Sequence, residues 1–154
     1  MNKSNKAYMY LVKLISSRDY SEHKLREKLK TRKFPANEIE DSINEIKNKG
    51  YLRENIYTES RVKAFMHKGY SPEYIRQKLA LEHLTISTTE IEEVFIEHQT
   101  SQTDQIERLV RKKLQGKSDI DYDGENKILR FLISKGHDYS ISKKILKTIA
   151  LDNH

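Results

Sequence analysis

One pattern, returning about every 50 residues, constrains this chain more than any other feature. Its first copy reads Ser21-Glu22-His23-Lys24-Leu25-Arg26-Glu27-Lys28-Leu29, followed by Phe34 and then Ile39 and Ile43. The second reads Ser71-Pro72-Glu73-Tyr74-Ile75-Arg76-Gln77-Lys78-Leu79, followed by Leu84 and then Ile91 and Phe95. The third is worn but in step, with Ile128 and Leu132, then Tyr139, then Ile145 and Ile149. A lone unit of this length buries too little apolar surface to stand by itself, so neighbouring units must stack. Such a chain builds an extended helical surface rather than a single catalytic pocket. The expected fold is all-α, as three tandem three-helix repeats over residues 1–54, 55–99 and 100–154.

Helical spacing and stop signals fill in the units. Tyr8, Leu11, Val12 and Ile15 recur at i, i+3, i+4 and i+7, which predicts a helix from Lys6 to about Arg18. Ser21 is suited to cap the next helix, whose inward pair is Leu25 and Leu29. Pro35 is expected to open a third helix, striped by Ile39, Ile43 and Ile46. Lys49-Gly50-Tyr51, Lys68-Gly69-Tyr70 and Lys135-Gly136-His137 each read as a helix stop, with Gly in the left-handed position and Lys near the helix's negative end. Ser71-Pro72-Glu73 reads as a cap with Pro at the first helical position. A further helix is expected over about Thr88 to Glu97, its outside acidic with Glu90, Glu92, Glu93 and Glu97. His98 to Thr103 is a polar joint. Ile106, Leu109, Val110 and Leu114 stripe the helix beyond it. Gly116 to Gly124 reads as a polar loop, and the last helix as about Ser140 to Ala150. Strand alternation is absent.

Composition excludes several classes. The chain has no cysteine, so neither a disulfide framework nor a thiolate metal site is available. No apolar run approaches the ~20 residues of a membrane span, and Met1-Asn2-Lys3-Ser4-Asn5 leads into no signal-peptide core. A soluble, cytoplasmic protein is expected. Asp119-Ile120-Asp121-Tyr122-Asp123-Gly124 resembles half of a calcium loop, but the position that must supply a bidentate carboxylate is Arg130. The segment reads better as a turn and helix cap. The histidines His23, His67, His83, His98, His137 and His154 show no metal-ligand spacing. The glycines are scattered, so no phosphate-binding loop forms, and no serine sits in a nucleophile elbow. No cofactor, no metal and no catalysis are expected.

The net charge of +6 is unevenly spread. Residues 1–54 carry 13 basic against 8 acidic side chains, residues 55–99 carry 5 against 7, and residues 100–154 carry 11 against 8. Basic lobes flanking an acidic middle favour a polyanionic partner at the ends. Three rows lie opposite apolar stripes: Arg26, Lys30 and Lys33; Arg108, Arg111 and Lys112; and Lys143, Lys144 and Lys147. Rows of this kind suit a phosphate backbone or an acidic protein groove, although any one row taken alone more often marks a plain solvated face. Tyr10, Tyr20 and Tyr74 are candidates to stack on bases, although tyrosine at helical spacing more often edges a core.

The junction after the first repeat reads Gly50-Tyr51-Leu52-Arg53-Glu54-Asn55-Ile56-Tyr57, followed by Arg61-Val62-Lys63 and Lys68-Gly69-Tyr70-Ser71. It resembles the signature of the RecX family, modulators of the RecA recombinase. The family's Gly-Tyr-Leu is kept as Gly50, Tyr51 and Leu52. Its two following aspartates are replaced by Arg53-Glu54, and its Phe-Ala by Ile56-Tyr57. Tyr20 to Leu25 with Lys28-Leu29 fits the same family, as do Tyr122-Asp123, Lys127, Phe131-Leu132, Lys135-Gly136 and Ile145. The resemblance runs in order over nearly the whole chain. It implies a curved, elongated array of helix-turn-helix-like repeats that binds in the groove of the RecA–single-stranded-DNA filament. It further implies inhibition of RecA ATPase, strand exchange and coprotease activity, in DNA repair and recombination and the SOS response. The chain itself would act as a monomer, with direct contact to single- or double-stranded DNA as an additional candidate.

Two other readings fit the residues alone. One is a stand-alone DNA-binding protein using its helical trios, though the outer face of the second helix is nearly all Lys and Arg, which positions phosphates rather than reading bases. The other is a helical peptide-binding scaffold.

Overall fold

The structure, a computed structural model, describes the backbone of residues 2–153 and the side chains of residues 6–153. Met1, the side chains of Asn2 to Asn5, and His154 lie outside the described residues, and with them the readings of the N-terminal segment and of the last histidine. Among the described residues every regular element is a helix. In order these are α1 (Asn2–Ser17), α2 (Glu22–Thr31), α3 (Ala36–Asn48), α4 (Glu54–His67), α5 (Pro72–Leu81), α6 (Thr88–Glu97), α7 (Gln102–Leu114), α8 (Tyr122–Ser134) and α9 (Tyr139–Asp152). The chain is an all-α repeat protein.

Two compact units divide it: Met1–Arg61 with Glu82–Leu84, and Val62–Leu81 with Thr85–His154. In the first, α1 lies along α3 and α2 packs beside it. Ala7, Leu11, Tyr20, Leu25, Leu29, Ile39, Ile43 and Ile46 form its core. The spacing that predicts an inward Leu25–Leu29 pair is confirmed, since both are fully buried. Ser21 caps α2 by accepting the Lys24 amide at 3.1 Å. Glu54 adds a second, distant cap, its Oε1 accepting the Glu22 amide at 2.7 Å. Glu54, at the start of α4, therefore satisfies a free amide at the start of another helix. Its neighbour Arg53 pairs with Asp19 at 2.9 Å.

In the second unit, Val62, Met66, Ile75, Leu79, Ile91, Val94 and Phe95 are buried along α4, α5 and α6. Ile106, Leu109, Val110 and Leu114 from α7 meet Ile128, Leu129 and Leu132 from α8 and Leu146 and Ile149 from α9. A full capping box starts α6, with Ser87 and Glu90 each bonding the other's backbone. Glu73 on α5 accepts from Arg76 at 2.6 Å and from the Thr88 hydroxyl of α6 at 2.9 Å; these bonds hold its carboxyl down to about 2.

A polar seam runs through the same unit. Gln105 of α7 donates through Nε2 to the carbonyls of Met66 (3.0 Å) and Tyr70 (2.8 Å) at the end of α4. His137 donates through Nε2 to the Gly69 carbonyl at 2.7 Å, and its Nδ1 accepts from Gln102 at 3.2 Å. The Ser71 amide bonds the Lys135 carbonyl at 2.9 Å. Added to Gly136, a Cβ would run into Ser71 Oγ and come within 2.6 Å of Tyr74 Cβ, so the backbone can approach this closely only as glycine.

The three glycine stops form as expected, and the turn they make recurs without glycine. After Ile46, Phe65 and Leu132 the same bond closes the helix, from Tyr51, Tyr70 and His137 respectively. The identical bond runs from Phe34 to Leu29 and from Thr100 to Phe95, where the left-handed residues are Lys33 (φ 64°) and Gln99 (φ 54°). His83 also takes a left-handed conformation (φ 62°).

Several local expectations are corrected. Pro35 is the N-cap of α3 and Ala36 its first helical residue, because Pro35 keeps an extended ψ of 153°. The polar loop after α7 is shorter, since Asp121 Oδ1 accepts the Gly124 amide at 2.7 Å and starts α8 at Tyr122. The counterpart of Phe34 and Leu84 in the third copy is His137, not Tyr139. His137 is buried behind Gly136, whereas Tyr139 opens α9 and is half exposed.

Candidate partner and nucleic-acid interface

The first basic row does not stay together. Arg26 is half-buried and ion-paired to Glu22 at 3.1 Å and to Glu40 of α3. The Glu40 bond, with that from Glu22, raises the guanidinium pKa against the opposing effect of burial. Arg26 thus ties α2 to α3, while Lys30 is exposed and Lys33 stands beyond the end of α2 in the left-handed turn. The tyrosines are also engaged. Arg32 covers Tyr10 at 4.4 Å, Arg18 covers the buried Tyr20 at 4.5 Å, and Tyr74 stacks on Tyr70 at 4.9 Å.

The other two rows sit on helices that pack on each other in the second unit. Arg108, Arg111 and Lys112 are all exposed on the last turns of α7, and none makes an ion pair among the described residues. The helix dipole favours cations there. On α9, Lys144 and Lys147 are exposed and Lys143 is half-buried with its ammonium 5.7 Å from the Tyr139 ring. Unpaired cations at the end of a rigid helix are what a phosphate backbone or an acidic protein surface requires, because no internal partner must be given up.

A groove of about 830 Å³ opens between the end of α7, the following loop and α8. Lys113, Lys117 and Lys127 line it together with Ile120, Ile128 and Phe131. Sequence reasoning missed these lysines because no helical row contains them. The chain reversal at Gln115 (φ 52°) and Gly116 (φ 81°) brings them to one place. Gly116, two residues beyond the last buried position of α7 at Leu114, was the available signal.

His137, bonded to Gln102 at the start of α7 and to Gly69, is 4% exposed. Burial lowers its pKa from the ordinary 6.5, partly opposed by its bond to the Gly69 carbonyl and reinforced by the Lys135 charge. Among the described residues no group of three or more His, Asp or Glu could hold a metal ion, and no helix is long and apolar enough to cross a membrane.

Comparison with known proteins bears on what these surfaces serve. Residues 7–45 match the model of the first three-helix domain of RecX. Regulatory protein RecX of Haemophilus influenzae, strain Rd, is 33% identical over 110 residues, covering 71% of this chain and 72% of that protein. The chain belongs to the RecX family. Regulatory protein RecX of Legionella pneumophila, strain Corby, is 28% identical over 144 residues, 94% of this chain and 95% of that one. The likeness to the Legionella protein is thus close to full length. In fold, the chain is similar to the crystal structure of RecX from Lactobacillus salivarius, with a TM-score of 0.72 at 22% identity over 97% of this chain and 98% of that one. These RecX relatives are named as regulatory proteins, and RecX membership makes this chain one of a regulatory family.

Proposed function

We propose that this chain binds the RecA filament on single-stranded DNA and modulates it, chiefly by inhibition, without catalysing a reaction of its own. In this reading ATPase, strand exchange and coprotease activity of the filament all fall, and the setting is DNA repair and recombination in the cytoplasm. The observation that carries it is the likeness to a regulatory RecX protein over 94% of this chain. The unpaired cations of α7 and α9 support it physically. A filament of protein and nucleic acid presents phosphates and acidic side chains at regular spacing, and exposed cations gain both steering and counterion release there. Three tandem repeats, 1–54, 55–99 and 100–154, would let a monomer touch successive protomers, and binding would bias the filament only through differential affinity for its states.

The test is the affinity of the labelled chain for RecA filaments formed on an oligothymidylate, compared with the oligonucleotide alone. Tighter binding to the filament, weakened by charge reversal at Arg108, Arg111 and Lys112, is the expected result. Equal affinity for bare DNA and for filament would instead favour a DNA-binding protein, a reading the arginine-rich end of α7 also accommodates.

A further inference from the structure

The groove beside α8 combines an apolar floor with a cationic rim. Its walls are apolar at Ile120, Ile128 and Phe131, and its rim carries Lys113, Lys117 and Lys127. Asp119 and Asp121 also reach it, yet none of the three lysines pairs with either aspartate among the described residues. Asp121 is already committed to the Gly124 amide at 2.7 Å. The groove therefore offers three cations that its own two aspartates leave unpaired, set around an apolar floor.

We infer that this groove docks an acidic peptide segment of a protein partner, carrying one or two apolar anchor residues. Charge complementarity sets the acidic character, since carboxylates on the segment would meet unpaired ammonium groups. The floor sets the anchors, because an apolar side chain seated over Ile120 and Ile128 would dry the site and strengthen the ion pairs around it. A strand of nucleic acid fits less well. Single strands gain affinity by stacking bases on accessible aromatic faces. The aromatic ring among the lining residues, Phe131, already lies under the Lys113 ammonium at 4.3 Å and the Lys135 ammonium at 5.4 Å. The same contact holds Lys113 over the groove as a positioned cation.

This docking does not rest on the recombinase reading, and its test contains no recombinase. Fluorescence anisotropy of the full chain is measured with a labelled peptide of roughly 12 residues, Asp and Glu interleaved with two leucines. A second peptide has alanine at both leucines, and a third probe is a labelled oligothymidylate. The anchored peptide should bind, the alanine peptide at least about tenfold more weakly. The double variant Lys117→Gln/Lys127→Gln should weaken the anchored peptide by a similar factor. Arg108→Gln/Arg111→Gln, away from the groove, should change it less than about threefold. Both groove lysines are exposed, so circular dichroism should be unaltered. Backbone amide shifts of the unmodified chain give a second readout, with changes expected at Ile120, Gly124 and Ile128. Equal affinity for the two peptides, or shifts confined to other helices, would overturn the proposal. So would oligothymidylate binding that the Lys117/Lys127 variant loses while the peptide does not bind.

Discussion

His137 is neutral in the folded chain because each ring nitrogen has a fixed role. Nε2 donates to the Gly69 carbonyl and Nδ1 accepts from Gln102, so a second proton would leave Nδ1 and the Gln102 amide as facing donors. With the folded pKa lowered from 6.5, the unfolded chain binds the extra proton first. The contribution of His137 to stability is therefore complete above about pH 6.5 and is lost as pH falls toward the lowered value. Urea titrations between pH 8 and pH 5 should show this loss, and His137→Leu should flatten it; an undiminished slope in that variant would assign the effect elsewhere. Gln99 and Lys33 hold left-handed conformations that cost a side-chain-bearing residue about 1 kcal/mol or more. Gln99→Gly should therefore stabilise by roughly 0.5 kcal/mol, after its own entropy cost. Gly136→Ala should destabilise by about 3 kcal/mol, from positive φ combined with overlap against Ser71 and Tyr74. Thermal denaturation of both variants checks these values.

At the scale of the helices, much was legible in the sequence. The stripe Ile106, Leu109, Val110 and Leu114 is buried throughout, because a run spaced by helical turns has only one way to face a core. The helix over Thr88–Glu97 forms with those bounds, started by its Ser87 box. Ser87→Ala should cost about 1 kcal/mol in urea denaturation, the ordinary value of such a cap. Stops without glycine were not legible, because Lys33, His83 and Gln99 carry no mark of their left-handed backbone. The basic rows were legible as residues and illegible as surfaces. Arg26 is taken by Glu40, fourteen residues away, a pairing decided by how α2 meets α3. On α7 no such partner arrives, and Arg108, Arg111 and Lys112 remain open to solvent. Reversing their charges should leave the helical signal and midpoint within about 0.5 kcal/mol of the parent while weakening filament binding at least about tenfold. Unchanged binding at physiological salt would remove α7 from the interface.

For the molecule as a whole, the repeat period and the ordered motifs were enough to reach the family, since fold and motif order persist at identities near 28%. What the period could not convey is how tightly neighbouring trios are joined. That depends on Gln105, His137 and Gly136, single residues with no place in an apolar pattern, which in the second unit join the end of α4 to α7 and α8. Action on an assembled filament rather than on DNA alone is the role proposed for this chain. It is tested most directly by single-stranded-DNA-dependent ATP hydrolysis by RecA from the same organism, with this chain titrated well below one per RecA. A fall in rate at these substoichiometric amounts is the predicted result, because a few bound copies would alter filament growth or persistence. An unaltered rate, with the chain shown to be folded and helical, would contradict it.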